Sequence, residues 1–351
     1  MEPIIILALF GFAYGVVLQQ SGFCFAKAAF ELFLLRSRDA AAGVIAGLLV
    51  ATVGFGVVTL LRMRAGRPAT DHLLVLPVGG GTVVGGLLFG TGMSLAGMCA
   101  SGTLQRLGEG YGLALVVLVG MVAGAALDPS PLIVGNLLRP WGSHAWLGDW
   151  LGPAPAFLLT MAALAVLWLW VGRPSRRVPS GGGPAPLYHL APLTAPVVGG
   201  ALLAALNTAQ MAVISPWTVG YPLALVPELV AGRTSESTLR AALPLLALDA
   251  CIPLGAMAAA TPRSLRVRWP RSAREAARGL GGGVLMGMGI QLAHGCNIGG
   301  VFSALPSLSA SAWLYLPSIV AGAWFGTRLL VSLEARARPR SQGEGKQRSR
   351  R

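Results

Sequence analysis

Apolar stretches of 15 to 22 residues recur from one end of this chain to the other, and that recurrence limits its possible folds more than any other feature. A helix needs roughly 20 apolar residues to cross the hydrocarbon layer of a bilayer. The chain therefore reads as an all-α polytopic membrane protein. Composition agrees: 54% of the 351 residues are hydrophobic and 11% are charged, whereas a soluble domain averages about a quarter charged residues. With a mean hydropathy of +0.67, an ordinary cytosolic enzyme is excluded. The 48 glycines and 24 prolines follow no Gly-X-Y period and form no polar tract, so the chain is neither collagen-like nor disordered.

Nine stretches are long enough to span: 3–18, 41–61, 77–96, 111–127, 156–171, 192–214, 239–260, 280–293 and 313–333. Four shorter apolar pieces, 25–35, 103–107, 217–229 and 299–305, are too short at about 1.5 Å per residue. Short pieces beside Gly- or Pro-interrupted spans predict half-membrane helices, which survive at membrane depth only when buried in protein or lining a cavity. The transport domain is expected to fill 1–333, with halves at 1–172 and 190–333, and a basic tail follows at 334–351. The first stretch has no basic leader or small-residue cleavage site, so it reads as a retained helix.

The net charge of +14 comes from 27 Lys and Arg against 13 Asp and Glu. With the N-terminus outside, nineteen basic residues fall in inner loops and the tail against six in outer loops, which predicts N-out, C-in. The tail reads as a solvated end held near anionic membrane lipid rather than a nucleic-acid arm. Lys27 and Glu31 form an i, i+4 pair inside an apolar segment and are expected to neutralise each other. Asp249 has no evident partner and is placed near a boundary. No paired carboxylates, P-loop or metal-ligand cluster appears, so no cofactor, metal or ATP is expected.

Offset by 197, 85–102 (GGLLFGTGMSLAGMCASG) lies over 282–299 (GGVLMGMGIQLAHGCNIG) with nine of 18 positions identical. The first copy belongs to the third crossing and the second to the eighth, and the odd difference predicts an inverted repeat. Cys99 and Cys296, its equivalent cysteines, are expected to approach each other near the pseudo-two-fold axis. Each precedes a short piece that can start a half-helix, whose first N–H groups and positive dipole end suit an anion. Gly97, Gly102, Gly295 and Gly299 allow the bend or a close backbone approach, Ser101 is a candidate supporting contact to the anion, His294 is a candidate donor, and Asn297 a candidate cap. Cys24, after Gly22 in SGFCF, is a third cysteine at a helix start, placed toward the inner mouth. Cys251 reads as a packed core thiol. Gly85, Gly86, Gly90 and Gly287 read as helix-contact surface. A neutral thiol contacts polarizable sulfur without placing a fixed charge in the bilayer.

The motifs SGFCF around Cys24, GMSLAGMCASG around Cys99 and GIQLAHGCNIGG around Cys296 resemble the YeeE/YedE family of bacterial inner-membrane sulfur transporters, and the likeness covers most of the chain. The resemblance implies an hourglass of nine spanning and four half-penetrating helices. It also implies thiosulfate passed inward between thiols by S–H contacts, without covalent chemistry or ATP, with Cys99 and Cys296 central and Cys24 third. Family members often work with a small cytosolic sulfur-carrier protein of the TusA type, and the basic inner face is compatible with an acidic partner. The alternatives are transport of another sulfur or selenium species, or a membrane-embedded sulfurtransferase forming a cysteine persulfide, for which His294 is the evident base. A Cu(I) path is raised by Met93, Met98, Met286 and Met288, although methionine at those spacings is more often packing.

Overall fold

The computed structural model describes residues 2–127, 140–142, 145–172, 195–260, 265 and 267–337. The Arg-rich run at 173–177, part of that at 263–266 and the tail from 338 lie outside the described residues. Helices α1 (Glu2–Ser21) and α2 (Phe25–Phe30) open the chain, and a π-helical turn (Glu31–Leu35) extends α2 before α3 (Asp39–Arg64). Next come α4 (Gly80–Ala96), α5 (Ala100–Gly108), α6 (Gly112–Ala126), α7 (Leu147–Leu151) and α8 (Pro153–Val171). The second half holds α9 (Ala195–Val213), α10 (Gly220–Val230), α11 (Glu236–Ala259), α12 (Ala273–Ala293), a π-helical segment (Ile298–Ser303) and α13 (Ala310–Ala337).

Among the described residues, seven stretches of helix are long and apolar enough to cross a membrane: Glu2–Leu35, Asp39–Arg64, Gly80–Gly108, Pro153–Val171, Pro196–Val213, Glu236–Ala259 and Ala310–Arg336. The nine-span expectation differs at two helices for local reasons. The α6 helix has 15 residues, and α12 opens with a charged turn containing Arg274, Glu275 and Arg278. All four short pieces form where the sequence places them, as α2 with its π turn, α5, α10 and the segment Ile298–Ser303.

The most extensive helix packing joins the two halves of the chain: α1 with α11, α3 with α9, α4 with α12 and α13, and α6 with α12. Glycines make these approaches possible, because lipid offers no hydrophobic drive between helices and close backbone packing must supply it. At the α4–α12 crossing, a Cβ on Gly85 would fall 2.7 Å from the Gly289 carbonyl oxygen, and one on Gly289 would fall 2.6 Å from that of Gly85. Gly92 and Gly282 face each other in the same reciprocal way. Residue 85 meets 289 while 92 meets 282, so the two repeat-bearing helices run antiparallel. Gly11 against Leu248 and Gly15 against Ile252 make α1 and α11 parallel. Gly90 packs on Ile319 and Gly287 on Met121, each reaching across to the other half, and both serve as helix surface as expected.

At one end, which carries the start of α4 and of α13, residues 65–79 form a strap. It is fastened where the N–H of Leu74 donates to Ser307 Oγ (3.1 Å) and that of Leu76 to Ser309 Oγ (3.0 Å). Trp146 Nε1 donates to the Ser307 carbonyl there, 3.1 Å away. At the opposite, Arg-rich end, Arg268 stacks on the Tyr111 ring and donates to its hydroxyl at 2.9 Å, and Arg278 pairs with Glu334.

Candidate functional site

Three helices end alike. Helix α1 closes with Gly22 at φ +59°, α4 with Gly97 at +72° and α12 with His294 at +57°, and each is followed two residues later by a cysteine. The left-handed residue turns the chain out of the helix. Cys24 and Cys99 then take extended backbone angles as the N-cap residues of α2 and α5. The first amides of both short helices face these sulfurs, that of Lys27 toward Cys24 and that of Gly102 toward Cys99. Arg36, which ends the π turn after α2, also has positive φ.

The thiol that Cys99 touches is that of Cys24, with the two sulfurs 3.7 Å apart and no bond between them. Sequence reasoning expected Cys99 and Cys296 to approach each other near the pseudo-two-fold axis. The Cys24 contact is a separate one that the repeat does not announce. Ser101 Oγ lies 3.5 Å from the Cys99 sulfur. Gly102 faces both thiols, and a Cβ there would sit 3.2 Å from Cys24 Sγ and 3.4 Å from Cys99 Sγ. One helical turn further along the same face of α5 stands Arg106, whose guanidinium acts on the Cys24 sulfur.

Cys296 is wholly buried, and the backbone amides of Val219, Gly220, Ile298 and Gly299 surround its sulfur. Gly220 is pressed against it, with room for no side chain: a Cβ would fall 2.8 Å from Cys296 Cβ. The link to the other pair is Asn297. Its side chain is 0% exposed and lies against the Cys99 sulfur. It therefore faces the thiols rather than closing the helix cap the sequence suggested. The Gly295 carbonyl accepts from the Tyr315 hydroxyl at 3.2 Å. Gly299 has only ordinary contact with Thr218, so no steric demand explains it.

His294 is exposed, as is Gly97, its counterpart in the repeat. Cys251 is half-buried rather than a core thiol. Asp249 is 2% exposed with both oxygens unpartnered among the described residues, so it does not sit at a boundary. Lys27 and Glu31 pair at 3.8 Å as expected. Sequence reasoning missed Gly220, Tyr315 and the buried residues Asn207, Trp217 and Ser303. The GCNIGG run was the available signal for one more, Gly300, whose N–H donates to the Cys296 carbonyl at 2.6 Å.

Fold and geometry together define a polytopic helical membrane protein whose interrupted helices bring cysteine thiols and backbone amides together inside the bundle. The model of the sulphur transport family matches residues 20–325, and the chain belongs to that family. It is 26% identical over 339 residues to the thiosulfate transporter TsuA of Spirochaeta thermophila, covering 90% of this chain and 96% of that one. It is 29% identical over 345 residues to the thiosulfate transporter TsuA of Escherichia coli, covering 91% and 92%. A shorter likeness, 33% over 93 residues, joins it to the probable transporter YedE of Salmonella typhimurium, covering 25% of this chain and 23% of that one.

Proposed function

We propose that this protein carries thiosulfate, or a closely related sulfur oxyanion, inward across the bacterial inner membrane along a path through Cys296, Cys99 and Cys24, by non-covalent relay and without ATP. The observation that carries the reading is the 3.7 Å contact between the Cys24 and Cys99 sulfurs at the starts of two short helices, joined to the Cys296 break by the Asn297 amide beside Cys99. S–H groups are weak donors. Weak, multi-site contacts let an anion enter and still leave.

The antiparallel α4–α12 crossing with its reciprocal glycines supports an inverted repeat. The parallel pairs α1–α11, α3–α9 and α6–α12 fit nine crossings and four half-helices in an hourglass, with the N-terminus outside and the Arg-rich end facing the cytosol. The exposed turns at Gly97 and His294 provide the mouths on the two sides. Arg106 meets the anion beyond Cys24, where an acidic TusA-like sulfur carrier would dock on the basic face.

Cells lacking their own thiosulfate uptake test this through growth on thiosulfate as sulfur source. The wild-type chain is expected to restore growth, and Cys99→Ala and Cys296→Ala, at matched membrane levels, to abolish it. Growth with both variants would overturn the cysteine path. The contact between two thiols also admits a second reading, in which a thiolate takes the outer sulfur of thiosulfate as a persulfide and sulfite leaves. A mass gain of one sulfur atom on Cys24 or Cys99 after exposure to thiosulfate would select it.

A further inference from the structure

Tyr14 on α1 and Trp217, just ahead of α10, are both 0% exposed, with their rings stacked 3.9 Å apart and 7° from parallel. Neither the Tyr14 hydroxyl nor Trp217 Nε1 has a hydrogen-bond partner among the described residues. An unmet buried donor is costly, and phenylalanine at either place would avoid the cost while keeping the stack.

The backbone of Trp217 is held with unusual completeness for a residue outside a helix. Its N–H donates to Asn207 Oδ1 (2.8 Å), Asn207 Nδ2 donates to Ser303 Oγ (3.0 Å), and the Ser303 hydroxyl donates to the Trp217 carbonyl (2.6 Å). This ring of buried bonds joins α9, the connector and the π-helical segment. It leaves the indole N–H as a fixed donor with nothing to donate to.

The place matters as much as the geometry. Two and three residues beyond Trp217, the Val219 and Gly220 amides lie around the Cys296 sulfur. On the other flank Phe302 meets the indole edge-on at 6.4 Å, and Phe23 and Phe25, the neighbours of Cys24, pack on Phe302 in turn. The stacked pair thus sits in the aromatic seam that joins the Cys296 break to the Cys24 break.

We propose that Trp217 Nε1–H and the Tyr14 hydroxyl form a hard-donor seat for the –SO3 head of the transported anion. A sulfur oxyanion of this class has a soft terminal sulfur and hard oxygens. The thiols match the soft end, and the N–H and O–H groups match the oxygens. The inference rests on the transport reading and adds an orientation to it: oxygens toward the Tyr14–Trp217 stack, sulfur toward the cysteines.

The test is isothermal titration of the purified full-length protein with sodium thiosulfate, alongside thermal melts, for wild type, Tyr14→Phe and Trp217→Phe. Each variant is expected to bind about ten- to hundred-fold more weakly, the ratio that loss of one hydrogen bond to a charged group produces. Melting temperature should hold or rise, because a buried unmet donor has been removed. If Trp217→Phe melts lower through lost packing, Tyr14→Phe alone decides, since it deletes one oxygen and keeps the stack. Unchanged affinity with wild-type binding intact overturns the seat and leaves the transport reading standing. No binding by wild type overturns both.

Discussion

The break at Cys99 and the break at Cys296 share one backbone device, a left-handed residue followed two places later by a cysteine, and then part company in what surrounds them. At the first, Gly97 is exposed and nothing lies within 4 Å of where its side chain would be, Gly102 faces two sulfurs, and Arg106 stands a turn beyond. At the second, the strap lies close, with Leu76 3.3 Å from where a Gly295 side chain would be, and four amides ring the sulfur. Ser303, the counterpart of Arg106, is wholly buried and spent on holding Trp217. The shared local sequence therefore supplies the bend, while side chains brought in from elsewhere decide what each bend can hold.

The largest expected effect separates two added methyl groups. Gly220→Ala puts a Cβ 2.8 Å from Cys296 Cβ and 3.0 Å from its backbone nitrogen, neither of which can turn aside. Destabilisation of about 1–3 kcal/mol should follow. Gly102→Ala meets only two thiols, at 3.2 and 3.4 Å, which can rotate. Its stability should change by less than about 1 kcal/mol, while thiosulfate uptake falls sharply because the methyl occupies the space between the sulfurs. Thermal melts and uptake on both variants decide the matter. Equal stability losses would mean that the two breaks are packed alike and would break the comparison.

A smaller effect sharpens it. His294 holds a left-handed conformation that its counterpart fills with glycine, at a cost of about 1–2 kcal/mol for a residue bearing a Cβ. His294→Gly gives up part of that gain to the entropy of glycine, so stability should rise by roughly 0.5–1 kcal/mol. Uptake should fall if the imidazole meets the incoming anion. A stabilised protein with unchanged uptake would leave His294 as a helix end and nothing more.

The bends were legible in the sequence because each is local: Gly22, Gly97 and the His294-Gly295 pair stand beside their cysteines, and apolar runs too short to span follow them. The short helices therefore fall where composition put them. What the sequence hid is long-range. Cys24 and Cys99 are 75 residues apart and not related by the repeat, so no spacing announces their contact. The Asn207–Trp217–Ser303 ring draws on three segments that read individually as apolar helix and loop. Asp249 looked like a boundary residue because a lone carboxylate in an apolar run is expensive to bury, yet α11 carries it fully into the bundle.

The smallest effect concerns the strap beside the Cys296 break. His72 in the strap is 3% exposed, with Nε2 3.3 Å from Thr59 Oγ1 and Nδ1 unpartnered among the described residues. Burial pushes its imidazole below the ordinary value of 6.5, the Arg62 guanidinium adds to this, and Asp71 opposes it. A histidine depressed on folding is held neutral. Its contribution to stability is full above the unfolded value and is lost as pH falls through the lower folded value. Acidification below about pH 6.5 should therefore loosen the strap and raise amide exchange at Leu74 and Leu76. The turn at Gly97 should stay unchanged, and His72→Gln should flatten the dependence. Exchange rising equally at both breaks would show that acid acts on the bundle as a whole, and the strap would then not be the element that distinguishes the Cys296 side.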